Sequence, residues 1–419
     1  MLPVSRRRLI GSMLTLAASG ALPRLALAAP ATERRTVVIL LRGALDGLAA
    51  VAPYGDPGYA GQRGAIALQA SDVVKLDGLF GLNPGLQTLK PMWDARELLV
   101  LHAVASPYRE RSHFDGQNLL ENGTLRPQGS ADGWLNRALG AAPQPRDGRR
   151  LGLAVGGAVP RLMRGTIPVA AWEPQTQPAV DQTILDLLAQ MYQRDAVFGP
   201  ALHEAIKSEA MTDAALAEET PADAAADGQM DGQPAKPKRM VAKRGVGPKA
   251  FKALAAAAGK LLAAPAGARV AALDMGGWDT HANQGSTKGR LFDNLAGLAD
   301  GLVAFKDALG PAWQDTAIVV VTEFGRTVHV NGTGGTDHGT ATTAFLLGGA
   351  VNGGRILTDW PGLAQAQLFQ NRDLKPTTDL RSLLKAVLQP QLQLSTDALG
   401  RNVFPDSSAV RPLADVIKA

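Results

Sequence analysis

Short apolar runs recur along this 419-residue chain, and several stop abruptly at polar clusters. They are Thr36 to Leu41, Glu97 to His102, Leu151 to Val155, Val270 to Leu273, Ala317 to Val321 and Ala344 to Leu347. Runs this short, with little polar alternation, suit strands buried on both faces of a sheet. Between the runs at 270 and 317, Leu291, Leu295, Leu298, Leu302 and Phe305 repeat at helical spacing, and Leu309-Gly310-Pro311 supplies the stop. Strand, helix, strand is the implied order, and strands interleaved with helical stretches favour an α/β layout over an all-β one. A right-handed crossover then brings the ends of the two strands to one edge of a parallel sheet, where the ligand crevices of open α/β sheets lie.

Acids and histidines stand at that edge. Gly277-Trp278-Asp279-Thr280-His281 follows one run and Thr322-Glu323-Phe324-Gly325-Arg326 follows the next, while Thr336-Asp337-His338-Gly339 sits in a glycine-rich loop ahead of Ala344. Asp279 and His281 are two apart, so on extended backbone both side chains point the same way and can reach one ion. Glu323 ends the strongest strand, where a buried carboxylate needs compensation from a cation or from Arg326. Asp46, after the first strand, is a candidate ligand or an Asp-Gly turn residue. Asp337 and His338 are candidate ligands or ordinary loop residues. Of the other histidines, His102 reads as a core or strand-end residue, His203 as helix surface, and His329 as loop surface or a neighbour of the site.

The amino terminus carries a separate signal. Ser5-Arg6-Arg7-Arg8 precedes a mostly apolar stretch from Leu9 to Leu22, then Pro23 and a small-x-small Ala26-Leu27-Ala28. This is the pattern of a twin-arginine export leader over 1–28, with an apolar core too short to span a bilayer. No later segment is long and charge-free enough to do so, so no membrane span is expected in the mature chain. Cleavage after Ala28 removes four arginines and no acids, taking the net charge from +5 to +1. A nearly neutral mature chain has no global basic field, and no nucleic-acid partner is expected. The chain has no cysteine, so any metal must use nitrogen and oxygen ligands. With 46% hydrophobic and 19% charged residues it can bury a large core. Its organisation suggests one main domain over 29–419 rather than several. One stretch breaks the pattern: residues 212–247 are rich in Ala, Asp, Glu and Pro and then in Lys and Arg, as in a flexible insertion.

Taken together, Leu41 to Leu48, Arg111-Ser112-His113-Phe114, Gly277 to His281, Thr322 to Thr327, Gly335 to Gly339 and Gly348 to Gly354 resemble the DUF1501 family over nearly the whole mature chain, in order. That family is often exported with twin-arginine signals and is grouped with the alkaline phosphatase/sulfatase superfamily. The resemblance implies a doubly wound, mostly parallel α/β sheet with helices on both faces, an alcohol nucleophile and two adjacent divalent metals. Position by position, it implies Ser112 as nucleophile, with Ser106 and Thr124 as the other hydroxyls. Asp46 corresponds to the first-strand aspartate, and Asp279, His281 and His338 to ligands of one metal. Glu323 falls where the superfamily has Asp followed by His. Here Phe324 follows and cannot coordinate, which leaves a second metal site short of a ligand unless His113 or Asp337 serves.

Mixed His/carboxylate ligation fits zinc or manganese and, less well, calcium. The expected function is an exported, periplasmic metal-dependent hydrolase of phosphate or sulfate esters, small or polymeric, with Ser112 attacking and Arg326, Arg111 or Arg109 as the oxyanion clamp. Its partner in transit would be the twin-arginine machinery. The alternative is a non-catalytic exported binding or assembly protein that keeps the fold and one structural metal, a reading that Phe324 favours.

Overall fold

The computed structural model describes residues 33–145, 151–174 and 246–418, with isolated positions between 187 and 195. The expected leader over 1–28, His203 and positions 212–245 of the expected insertion lie outside the described residues. The last two insertion positions do not: Val246 pairs with Met275, and Gly247 precedes a helix.

Among the described residues, nine strands form the main sheet: β1 (Arg35–Arg42), β2 (Leu98–Ala105), β3 (Gly152–Val155), β4 (Ala170–Trp172), β5 (Val270–Gly276), β6 (Thr316–Thr322), β7 (Thr342–Leu347), β8 (Arg355–Leu357) and β9 (Thr378–Asp379). Their order is β8-β2-β7-β6-β1-β5-β3-β4, with β9 also paired to β2. Every pairing is parallel except the two made by β7. Among the described residues, the five helices of eight or more residues are α1 (His113–Asn122), α2 (Trp134–Ala141), α3 (Pro248–Ala263), α4 (Arg290–Leu309) and α5 (Leu380–Gln391).

Strand alternation divides the core in two. On β1, Val37, Ile39 and Leu41 pack with Phe251 and Leu254 of α3 and Leu295, Leu298 and Phe305 of α4, whereas Val38 and Leu40 face Leu135 of α2 and Leu383 of α5. Helices thus cover both faces of a mostly parallel sheet, the α/β layout expected from the apolar runs and the doubly wound class implied by the resemblance. Each such aliphatic side chain contributes roughly 1.5–3 kcal/mol when fully removed from water, which suits the apolar middles of β1 and β6. The helix read from Leu291 to Phe305 ends at Gly310, whose φ of 54° is a left-handed value that glycine adopts without strain.

One strand departs from the simple strand-then-site picture. Because β7 runs against its neighbours β6 and β2, its first residue Thr342 lies at the edge where β1, β5 and β6 end. The loop carrying Asp337 and His338 therefore reaches that edge by preceding its strand rather than following it.

Candidate metal centre

Four loops meet at this edge. β1 leads into Gly43, β5 into Asp279 and His281, β6 into Glu323 to Arg326, and β2 into the turn before α1, whose first residue is His113. Backbone bonds from Gly325 N to Thr340 O (2.9 Å), Gly339 N to Gly325 O (2.8 Å) and Thr327 N to Asp337 O (2.9 Å) clip the 336–340 loop onto the end of β6. Two glycines permit the close approach. A Cβ on Gly43 would lie 2.6 Å from the Asp279 nitrogen, and one on Gly335 would lie 2.3 Å from the His281 carbonyl.

Three imidazoles surround one carboxylate oxygen. His281 Nε2, His113 Nε2 and His338 Nε2 lie 3.1, 3.4 and 3.5 Å from Asp279 Oδ1. His281 Nε2 and His338 Nε2 are 2.9 Å apart. Each ring is held from behind through Nδ1: His113 by Glu323 Oε1 (2.7 Å), His281 by Asp337 Oδ1 (2.9 Å) and His338 by the Arg111 carbonyl (2.8 Å). Carboxylates and carbonyls only accept, so each Nδ1 carries a proton and each ring, when neutral, turns an Nε2 lone pair inward. His113 Nε2 is buried and makes no hydrogen bond. Three lone pairs and a carboxylate oxygen gathered this closely require positive charge among them. Ligands of a tetrahedral zinc-type ion lie about 3.3 Å apart given bonds of about 2.0–2.1 Å, and the ligand atoms of His113, Asp279 and His338, all within 4.8 Å of one another, fit such an ion, with His281 beside them. The acceptor behind each ring is the arrangement that orients metal-binding histidines.

The electrostatics agree. Burial by itself would raise the Asp279 carboxyl, but His113, His338 and the Arg326 guanidinium outweigh it and hold the group well below the usual carboxylate range. Burial by itself would lower His113, yet Asp279 and Glu323 together push it up to about 9. Buried Glu323 is lowered because hydrogen bonds from His113 and Gln117 overcome its desolvation. Asp337 is lowered chiefly by its hydrogen bond to His281. The Asp279 and His281 side chains are 45% and 44% exposed, so the centre opens to solvent.

The expected site residues divide into those at the centre and those behind it. Asp279, His281 and His338 converge, and His113, expected only as an alternative ligand or supporting residue, joins them directly. Glu323 stands behind His113, 1% exposed, its carboxylate taking bonds from His113, Gly43 N (3.0 Å), Gln117 (3.0 Å) and Thr322 (2.9 Å). Asp337 supports His281. Asp46 is not among the converging donors: its carboxylate accepts from Ala49 N, Arg63 and Gln284. Arg326 is placed differently from the expected clamp. It is buried, and its guanidinium binds the carbonyls of Gly43, Ala44, Trp278 and Thr336 as well as Asp279, so it fastens the loops together instead of facing solvent. Ser112 immediately precedes α1 and His113, and its side chain makes no capping bond to the helix.

Phe324 occupies the position after Glu323. Its ring stacks on His113 (centroids 5.0 Å apart) and lies 5.3 Å from the His338 ring, packing with Ala44, Tyr108 and Leu119. An apolar wall thus stands where the superfamily resemblance implies another imidazole. Sequence reasoning passed over Gln117, which lies four residues after His113 on α1 and also receives a bond from Arg42. That helical spacing was the available signal. Arg63 and Gln284 gave no comparable signal, because the Asp46 carboxylate that both bind lies in another loop.

Fold and centre define an α/β protein with a candidate His/Asp/His metal centre, His113, Asp279 and His338, at a sheet edge. The chain belongs to the family described as "Protein of unknown function (DUF1501)", which matches residues 100–403. Among solved structures, it is similar to Ps i-CgsB in complex with k-i-k-neocarrahexaose, at 12% identity and a TM-score of 0.38, covering 91% of this chain and 77% of that one. It is also similar to the C-terminal periplasmic domain of EcEptC from Escherichia coli in complex with Zn, at 14% identity and a TM-score of 0.35, covering 94% and 91%. A third is the phosphonate monoester hydrolase of Agrobacterium radiobacter, at 12% identity and a TM-score of 0.35, covering 91% and 78%. A search of the curated proteins found no match. No helix among the described residues is long and apolar enough to cross a membrane.

Proposed function

We propose that this chain is an exported, metal-dependent hydrolase of phosphate or sulfate esters, delivered to the periplasm by the twin-arginine leader over 1–28. The carrying observation is the convergence of three Nε2 atoms on Asp279 Oδ1, each ring anchored by an acceptor at Nδ1. His113, Asp279, His281 and His338 would hold one divalent ion, with zinc or manganese suiting the donors. When bound, such an ion supplies Lewis-acid stabilisation of a developing negative oxygen. Glu323 and Asp337 accept from the Nδ1 atoms of His113 and His281 and fix those rings with Nε2 turned to the ion. Arg326 holds the Asp279 carboxylate inward, and Phe324 excludes water from one side of His113. Ser112 Oγ, spared from helix capping, is the attacking atom. It forms the bond to phosphorus or sulfur, the ester oxygen departs, and water then releases the anion from Ser112. One ion rather than two fits the apolar Phe324 wall and the four hydrogen bonds that already occupy Glu323.

The mature protein should therefore copurify with a divalent metal and cleave p-nitrophenyl phosphate or sulfate. Ser112→Ala should retain the metal and lose activity by a factor of about 100 or more. A metal-free, inactive wild type whose Asp279→Ala variant is equally stable would refute this reading. The second reading, an exported binding or assembly protein with a structural metal, draws on Phe324. It predicts metal-dependent stability with no ester cleavage and no effect of Ser112→Ala.

A further inference from the structure

Behind the centre lies a buried polar network that the proposed chemistry does not use. Asp46, Arg63, Thr280, Gln284 and Thr336 are each 0–1% exposed. Gln284 Oε1 accepts from the hydroxyls of Thr280 (2.8 Å) and Thr336 (2.6 Å), and Gln284 Nε2 donates to Asp46 Oδ2 (2.6 Å). Thr280 lies between Asp279 and His281, and Thr336 immediately precedes Asp337 and His338. One amide therefore ties together the two loops that supply most of the candidate ligands. The Asp46 carboxylate fixes the sense of that amide. An ionised carboxylate only accepts, so the NH2 end must face it and the oxygen must face the threonines. Arg63 balances the buried charge, and its Nη1 donates to the carbonyls of Thr327 and Val328 (3.1 Å each), which follow Arg326.

We propose that Asp46, Arg63 and Gln284 are positioning residues that set the 279–281 loop against the 336–338 loop, so that His281 and His338 meet at metal-binding separation. The inference rests on the metal reading above. Asp46 acts on the centre through Gln284 and the two threonine hydroxyls, not as a ligand. Such outlying partners of a metal site typically change its affinity about 10–100-fold when removed.

The test is cobalt(II) binding to the full mature chain, followed by competition with a chromophoric chelator and by the visible spectrum of the bound ion. Gln284→Met keeps the volume and removes the bonds, and should weaken cobalt binding about 10-fold or more with an altered spectrum. Thr280→Val with Thr336→Val should do the same, whereas Thr280→Ser with Thr336→Ser should restore wild-type affinity and spectrum. Adding the valine pair to Gln284→Met should cost little more, because both act through one amide. The serine and valine pairs change so little volume that they keep the test open should Gln284→Met fail to fold. Wild-type affinity and spectrum in the valine pair, or losses that simply add, would overturn the proposal. A wild type that binds no cobalt would instead bring down the metal reading itself.

Discussion

His281 Nε2 lies 2.9 Å from His338 Nε2, across two loops whose histidines are 57 residues apart in sequence. Their Nδ1 protons are committed to Asp337 and to the Arg111 carbonyl, so the two lone pairs confront each other. That contact is unfavourable unless a proton or a metal cation lies between the rings.

Glu323 should govern the metal through His113. Glu323→Gln keeps an acceptor for Nδ1 but removes the charge, so zinc affinity is expected to fall about 10–100-fold in a chelator competition. In the metal-free protein, His113 should drop from about 9 toward the ordinary histidine range, followed by NMR titration.

Arg326 should prove more important to the fold than to turnover. Arg326→Met strands four backbone carbonyls and the Asp279 carboxylate, and a loss of about 3 kcal/mol or more is expected in urea unfolding. A variant of wild-type stability with a raised KM would restore the oxyanion clamp instead.

Gly335 should tolerate no side chain. An added Cβ would meet the His281 carbonyl at 2.3 Å, so Gly335→Ala must push the two loops apart. The expected outcome is a stability loss of about 1–3 kcal/mol together with weakened metal binding, read by thermal unfolding with and without zinc.

His102 should make the protein acid-sensitive independently of the centre. Burial lowers it to about 4; its Nε2 lies 3.0 Å from Val51 O, and its Nδ1 accepts from Ala103 N (2.9 Å). An unfolded histidine takes up its proton near pH 6.5. Between about 6.5 and 4 the unfolded chain binds more protons, so stability falls as the pH is lowered through that window. Chemical unfolding at a series of pH values should show this slope, and His102→Gln should flatten it.

Much of the edge could be read from residue order. Apolar runs marked the central strands, and the acids and histidines at or before their ends marked the loops that converge. Asp279 and His281, two apart in sequence, were expected to point the same way, and the structure places their donor atoms 3.1 Å from each other. The roles of Glu323 and His113 could not be read this way. Their pairing joins residues 210 positions apart, and only the packing of α1 against the end of β6 decides which one faces the centre. Asp46 was equally opaque, since its partners Arg63 and Gln284 approach from separate loops.

The sequence by itself determined the α/β class, six of the nine main-sheet strands and the loops bearing the chemistry, because side-chain periodicity and local stop signals act over a few residues. The tertiary structure alone decided which polar groups face inward as donors and which are spent on neighbours. A buried carboxylate or guanidinium must find its partner wherever the chain folds back to meet it, and that meeting follows from three-dimensional packing.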